Sequence, residues 1–204
     1  MPILNVLNEV EIELTHKCNW NCRYCAIYTH NLQEISEETA LEKVKSIVGK
    51  YDTVTFSGGE PGLLSRNILE QMITSIKSTN SNLCINTNGT FIEKYPDLVE
   101  KFDEIIYHCS QDLDDELKYY PNFSNIRYML VIDDINILKL DNYLNKYSNI
   151  IFDIVPASYE FNDVRKPLSM KNRMYITKNF NNRITSDSYR RLFVDKNFNS
   201  VKYI

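Results

Sequence analysis

The sequence predicts an α/β fold built on one parallel sheet. Three observations lead there. Short runs rich in β-branched residues alternate with longer stretches whose apolar residues recur at helical spacing. The length, 204 residues with 43% hydrophobic content, suits one domain with a real core. No Gly/Ser-rich or Pro-rich linker and no internal repeat divides the chain. Strands alternating with helices imply parallel pairing through right-handed crossovers.

Each element has its own signal. Residues 10–15 (Val-Glu-Ile-Glu-Leu-Thr) alternate apolar and polar, the period of a half-buried strand. Ser36 is a suitable N-cap for a helix to about Lys50, with Ala40, Leu41, Val44, Ile47 and Val48 on one face. Residues 53–57 form a second strand that runs directly into Gly58-Gly59-Glu60-Pro61. A helix over about 67–79 carries Ile68, Leu69, Met72, Ile73 and Ile76. Residues 83–87 are the third strand, closed by the turn signal Asn88-Gly89. A short helix at 96–102 precedes strands at 104–109 and 126–132. A helix at 135–147 leads to a sixth strand at 150–155.

Charge is unevenly spread. Residues 1–164 hold 13 Lys and Arg against 25 Asp and Glu, whereas residues 165–204 hold 10 against 2. The body is acidic and the last forty residues are basic, with Arg165, Lys166, Lys171, Arg173, Lys178, Arg183, Arg190 and Arg191 interleaved with Tyr175, Phe180, Tyr189 and Phe193. Cations among aromatics suit a nucleotide or other phosphate. They equally suit a solvated basic face covering the sheet, or docking on an acidic partner. No apolar run approaches the ~20 residues of a membrane span. The start, Met-Pro-Ile-Leu-Asn, lacks the basic and apolar regions of a secretory signal, so a cytoplasmic setting with reduced thiols is expected.

Cys18, Cys22 and Cys25 lie within eight residues, in a loop after the first strand. Three thiolates can hold three irons of a cubane cluster and leave a fourth iron open, where structural clusters use four cysteines. A structural zinc site with His16 or His30 as fourth ligand is an alternative, weakened by the lack of a second CxxC. A disulfide with a spare thiol is another. Three of the five glycines, Gly58, Gly59 and Gly62, crowd the turn after the second strand, where backbone can approach a ligand closely.

The Cys-x3-Cys-x2-Cys spacing, aromatic Tyr24 before the last cysteine, and Gly58-Gly59-Glu60-Pro61 one strand–helix unit later together resemble the radical SAM superfamily. The likeness covers residues ~10–155, with sharp motifs only at 18–25 and 58–61. It implies a partial (β/α)6 barrel over 1–160, followed by a short basic C-terminal extension over 161–204. It also implies a [4Fe–4S] cluster on Cys18, Cys22 and Cys25, with S-adenosylmethionine on the open iron. In the family, reductive cleavage of that molecule yields methionine and a 5′-deoxyadenosyl radical, which takes hydrogen from a substrate. By resemblance Tyr24 lies against the adenine, and Gly58, Gly59 and Glu60 meet the methionine amine. Asn88, Ser110 and Val155 occupy strand ends where the family places further contacts. Asn86 flanks the same end of the third strand. Each has a plainer alternative: packing for Tyr24, bracing for Glu60, turn chemistry for Asn88, a strand-end cap for Ser110. Cys84 reads as a buried small hydrophobe and Cys109 as a rim residue. With no cysteine after 109, one cluster is expected.

Three functions remain open on the sequence. The first is an enzyme acting on a small anionic or nucleotide-like molecule. The second is an activase or peptide-modifying enzyme acting on a partner protein or peptide. The third is a non-catalytic iron–sulfur protein, which has no need of the glycine turn. The first two require an electron donor such as a flavodoxin or ferredoxin; a membrane partner is not expected and a nucleic acid is less favoured.

Overall fold

The computed structural model describes residues 8–22, 24, 25, 27, 32–157, 169–180 and 201–203. Six strands form in chain order: β1 (Glu9–Thr15), β2 (Thr53–Gly58), β3 (Asn82–Thr87), β4 (Glu104–His108), β5 (Ile126–Ile132) and β6 (Phe152–Pro156). All pair in parallel with their sequence neighbours. A seventh strand, β7 (Val201–Tyr203), adds in parallel to the free edge of β1. The sheet order is therefore β6-β5-β4-β3-β2-β1-β7, with β6 and β7 unpaired to each other. This is the expected six-stranded parallel sheet of an open, partial barrel, widened by one strand that the short run 201–203 does not announce.

Sequential right-handed crossovers place every connecting helix on the same side of such a sheet. That side is the core. Val10, Ile12 and Leu14 of β1 are buried there with Val54 and Phe56 of β2 and Leu83 and Ile85 of β3. α1 (Glu37–Ile47) supplies Ala40, Leu41, Val44 and Ile47, and Ser36 caps it by accepting from the Thr39 N–H. α2 (Arg66–Lys77) supplies Leu69, Met72, Ile73 and Ile76. After β3 come a short helix, α3 (Thr90–Lys94), that the turn-like sequence conceals, and a 3-10 turn at Pro96–Lys101. Phe91 of α3 is wholly buried, edge-on to Phe102 at 5.2 Å. α4 (Ile137–Lys146) starts two residues later than its apolar pattern suggests. The Asp133 carboxylate accepts from the Ile135 and Asn136 N–H groups and holds the chain in a turn first. α5 (Met170–Phe180) buries Ile176 against the same core.

Strict alternation fails once. Residues 109–125 join β4 to β5 without a helix. Tyrosine hydroxyls take over part of the backbone pairing there: the Leu117 N–H donates to Tyr147 at 2.9 Å and the Tyr120 N–H to Tyr128 at 2.9 Å.

The opposite face carries linked polar side chains beside buried Cys84, Ile106 and Met129. Asn86 donates to Glu11 and Ser57 at 3.3 and 3.2 Å, linking β3 to β1 and β2. Arg127 of β5 pairs with Glu104 of β4 at 3.0 Å and with buried Asp153 of β6 at 3.6 Å.

The helix-side core sets stability. Phe91→Ala should lower unfolding free energy by about 3–5 kcal/mol, the usual range for deleting a buried aromatic. Leu138→Ala, at a site 83% exposed, should change it by less than about 0.5 kcal/mol. Urea unfolding followed by circular dichroism measures both.

Candidate active site

In a parallel α/β sheet, functional groups gather where strands end at their C-termini. Here the ends of β1, β2, β3 and β4 are tied to one another. β1 loses its regular register between Glu13 and Thr15, an irregularity that bends a strand and re-aims the chain beyond it. The cysteine loop leaves from this bend.

The glycine turn after β2 holds that loop by its backbone. The Gly59 N–H donates to the Thr15 carbonyl at 2.6 Å and the Glu60 N–H to the Lys17 carbonyl at 2.8 Å. This approach excludes side chains. A Cβ on Gly59 would sit 2.0 Å from the Lys17 carbonyl oxygen, and one on Gly58 would sit 2.4 Å from that of Thr15. Gly58 also has φ +111°, a backbone conformation that favours glycine. Both glycines are thus required to fix the chain immediately before Cys18.

Glu60 is 0% exposed. Its carboxylate accepts from the Gly62 N–H at 2.8 Å, the Thr87 hydroxyl at 2.8 Å and the Asn88 N–H at 2.7 Å. Burial pushes its pKa up, and these donors pull it back. The carboxylate braces the β2 exit against the β3 exit.

Asn88 completes the junction. Its Nδ2 donates to Asn19 Oδ1 at 2.9 Å and to Cys18 Sγ at 3.7 Å, while its Oδ1 accepts from the Thr90 N–H at 3.1 Å. Asn19 in turn donates to Thr90 Oγ1 at 3.0 Å. Tyr24, beside Cys25, reaches the fourth strand end and donates to the Ser110 carbonyl at 3.2 Å. The Ser110 hydroxyl is engaged in its own turn: it accepts from the Leu113 N–H at 2.8 Å and lies 3.2 Å from Asp115. Val155 lies in β6, paired with Val131 of β5. Cys109 is buried, with its thiol donating to the Tyr107 carbonyl, so it is a core residue and not a rim one. His30 and most of the basic residues of the C-terminal segment, Arg165, Lys166, Arg183, Arg190 and Arg191 among them, lie outside the described residues.

Thr87, Asn19 and Thr90 are members of this junction that no sequence motif singles out. Their signal is faint, because Thr87-Asn88-Gly89-Thr90 reads locally as turn chemistry and its partners are some seventy residues away.

The donor set suits an iron–sulfur cluster. Cys18, Cys22 and Cys25 are in no disulfide, and each is partly accessible. Burial pushes Cys22 up to about 12 and raises Cys18, with the neighbouring cysteines adding repulsion. Thiolates there coexist only against cationic charge, which bound iron supplies. Among the described residues no three donor side chains converge on one point that a single ion would fill.

Comparison with known proteins agrees. The profile of the radical SAM superfamily matches residues 12–139, and the chain belongs to that superfamily. A protein of Methanocaldococcus jannaschii, named as a glycyl-radical enzyme activating enzyme, is 26% identical over 136 residues, covering 66% of this chain and 49% of the relative. The GTP 3′,8-cyclase of Alkaliphilus oremlandii is 32% identical over 103 residues, covering 47% of this chain and 32% of the relative. The chain thus matches half or less of the length of these relatives. Among solved structures, anSMEcpe with bound AdoMet and a Cp18Cys peptide shares the fold at TM-score 0.60 and 16% identity, over 85% of this chain and 58% of that one.

The glycine contact predicts its own sensitivity. Gly59→Ala should leave secondary structure intact by circular dichroism but sharply reduce the iron retained after anaerobic reconstitution. Wild-type iron content in that variant would show that the close approach is dispensable.

Proposed function

We propose that Cys18, Cys22 and Cys25 hold a [4Fe–4S] cluster whose open iron takes S-adenosylmethionine. When bound, these groups supply reductive cleavage to methionine and a 5′-deoxyadenosyl radical that abstracts hydrogen from a substrate. The single observation that carries this reading is the backbone seating of the Gly58-Gly59-Glu60 turn on the chain just before Cys18.

The residues divide the work. The three thiolates hold the cluster. Gly58 and Gly59 offer backbone without a side chain, beside which the methionine end of the ligand sits. Glu60 acts from beneath as a brace. Tyr24 places a ring at the cluster loop, toward the β4 end, as the surface for adenine. Asn88 and Ser110 shape the rim through the turns they hold, and Val155 contributes from the far edge of the sheet. Residues 1–160 form the catalytic core and 161–204 a basic extension that covers the barrel or the substrate side.

The substrate is a small anionic or nucleotide-like molecule. The face of the sheet opposite the core carries Glu11, Glu13, Glu104 and Asp153 against Arg127. Recognition of an anion therefore falls to the basic residues of 165–204. A second reading, a partner peptide or protein, is favoured by the open sheet and by the peptide-bound structure that shares this fold over 85% of the chain. Either route needs an electron donor of the flavodoxin or ferredoxin kind.

After anaerobic reconstitution and reduction, the wild type should release 5′-deoxyadenosine by chromatography, and Cys22→Ala should release none. Undiminished product from Cys22→Ala would reject the assignment. The double variant Arg190→Ala, Arg191→Ala should keep its iron but lose most transfer of hydrogen from an anionic substrate in cell extract. Unchanged transfer would favour the peptide reading.

A further inference from the structure

We propose that Asn88 raises the reduction potential of the cluster by donating an N–H···S hydrogen bond to Cys18; the inference rests on the proposal that the three cysteines hold a cluster.

The orientation of the Asn88 amide is fixed by its neighbours. The Thr90 backbone N–H can only donate, and it points at one end of the amide at 3.1 Å. That end must be Oδ1, which also accepts from the Thr90 hydroxyl at 2.7 Å. Nδ2 then faces the cysteine loop with two hydrogens. One goes to Asn19 Oδ1 at 2.9 Å, and the other is directed to Cys18 Sγ at 3.7 Å. The residue itself is anchored, since its backbone N–H donates to buried Glu60 at 2.7 Å. The sulfur meets a second fixed donor, the Trp20 backbone N–H, at 3.4 Å. Cys18 is also the cysteine whose approach is set by the glycine turn, through the Glu60 N–H bond to Lys17.

A donor held in this way favours the more negative state of what it faces. One-electron reduction adds negative charge to a cluster and to its thiolate ligands. The hydrogen bond therefore strengthens on reduction and raises the potential. A clamp that only shaped the loop would need no donor aimed at the sulfur. Asn88 is thus a positioning and tuning residue, one step removed from the reacting atoms.

Two variants of the full chain separate the possibilities. Asn88→Ala removes the donor without adding charge. Asn88→Asp keeps an acceptor for Thr90 but replaces the donor with an anionic oxygen. Each is reconstituted anaerobically, assayed for iron and sulfide, and titrated by electron paramagnetic resonance without S-adenosylmethionine. Both should load a cluster whose midpoint lies below wild type by about a tenfold shift in the reduction equilibrium, about 59 mV for one electron. A midpoint unchanged in Asn88→Ala, even if Asn88→Asp falls, assigns the effect to charge and overturns the hydrogen-bond role. If neither variant holds a cluster that the wild type does hold, Asn88 is a structural brace and the tuning role is rejected. If the wild type itself takes up no iron, the cluster reading fails before any potential is measured, and this inference fails with it.

Discussion

Everything at the rim depends on one backbone contact. The turn after β2 donates two N–H groups, to the Thr15 carbonyl that ends β1 and to the Lys17 carbonyl just beyond it, at 2.6 and 2.8 Å, over a gap too narrow for a Cβ. Neighbouring parallel strands bring their C-terminal ends close as a matter of topology. They do not by themselves fix the loops beyond. Here the ladder between β1 and β2 is extended past the strands by two further bonds, and the cysteine loop begins from a held point. Burial, with neighbouring negative charge, raises the pKa values of Cys18 and Cys22 in that loop.

The contact is supported from below by a buried charge. A carboxylate withdrawn from water is costly unless donors surround it. Glu60 meets that requirement with a backbone N–H from each of two turns and the Thr87 hydroxyl. Hydrogen bonds to charged groups contribute about 1.5–3 kcal/mol each. Because the donors come from separate strand ends, loss of the carboxylate would free the β2 exit and the β3 exit at once. Gly62 belongs to the same arrangement: a Cβ there would stand 2.5 Å from the Phe91 backbone nitrogen and 2.8 Å from the carboxylate itself.

The sheet and the motifs are legible in the sequence because both are local. The alternation in 10–15 and the helical spacing of Leu69, Met72, Ile73 and Ile76 are read within a few residues of each other. The cysteine spacing and the glycine turn are read in the same way. Relations between distant residues are not. Asn88-Gly89 is an ordinary turn in sequence, and only the fold brings its amide to Cys18, seventy positions away. Ser110 looks like a free hydroxyl at a strand end, until Leu113 and Asp115 fold back onto it. β7 escapes notice because three residues carry too little pattern, and their pairing is supplied by the exposed edge of β1. The helix-free link between β4 and β5 depends on tyrosines whose hydroxyls serve distant backbone, which no window of the sequence reveals.

The central claim is that three cysteines leave one iron open and that S-adenosylmethionine fills it. It is tested most directly by electron paramagnetic resonance of the reconstituted, reduced protein, recorded before and after S-adenosylmethionine is added in the cold. The account predicts a cluster signal whose g-values shift on addition, as a new ligand reaches the open iron. A reduced cluster whose spectrum stays the same at saturating ligand would contradict it.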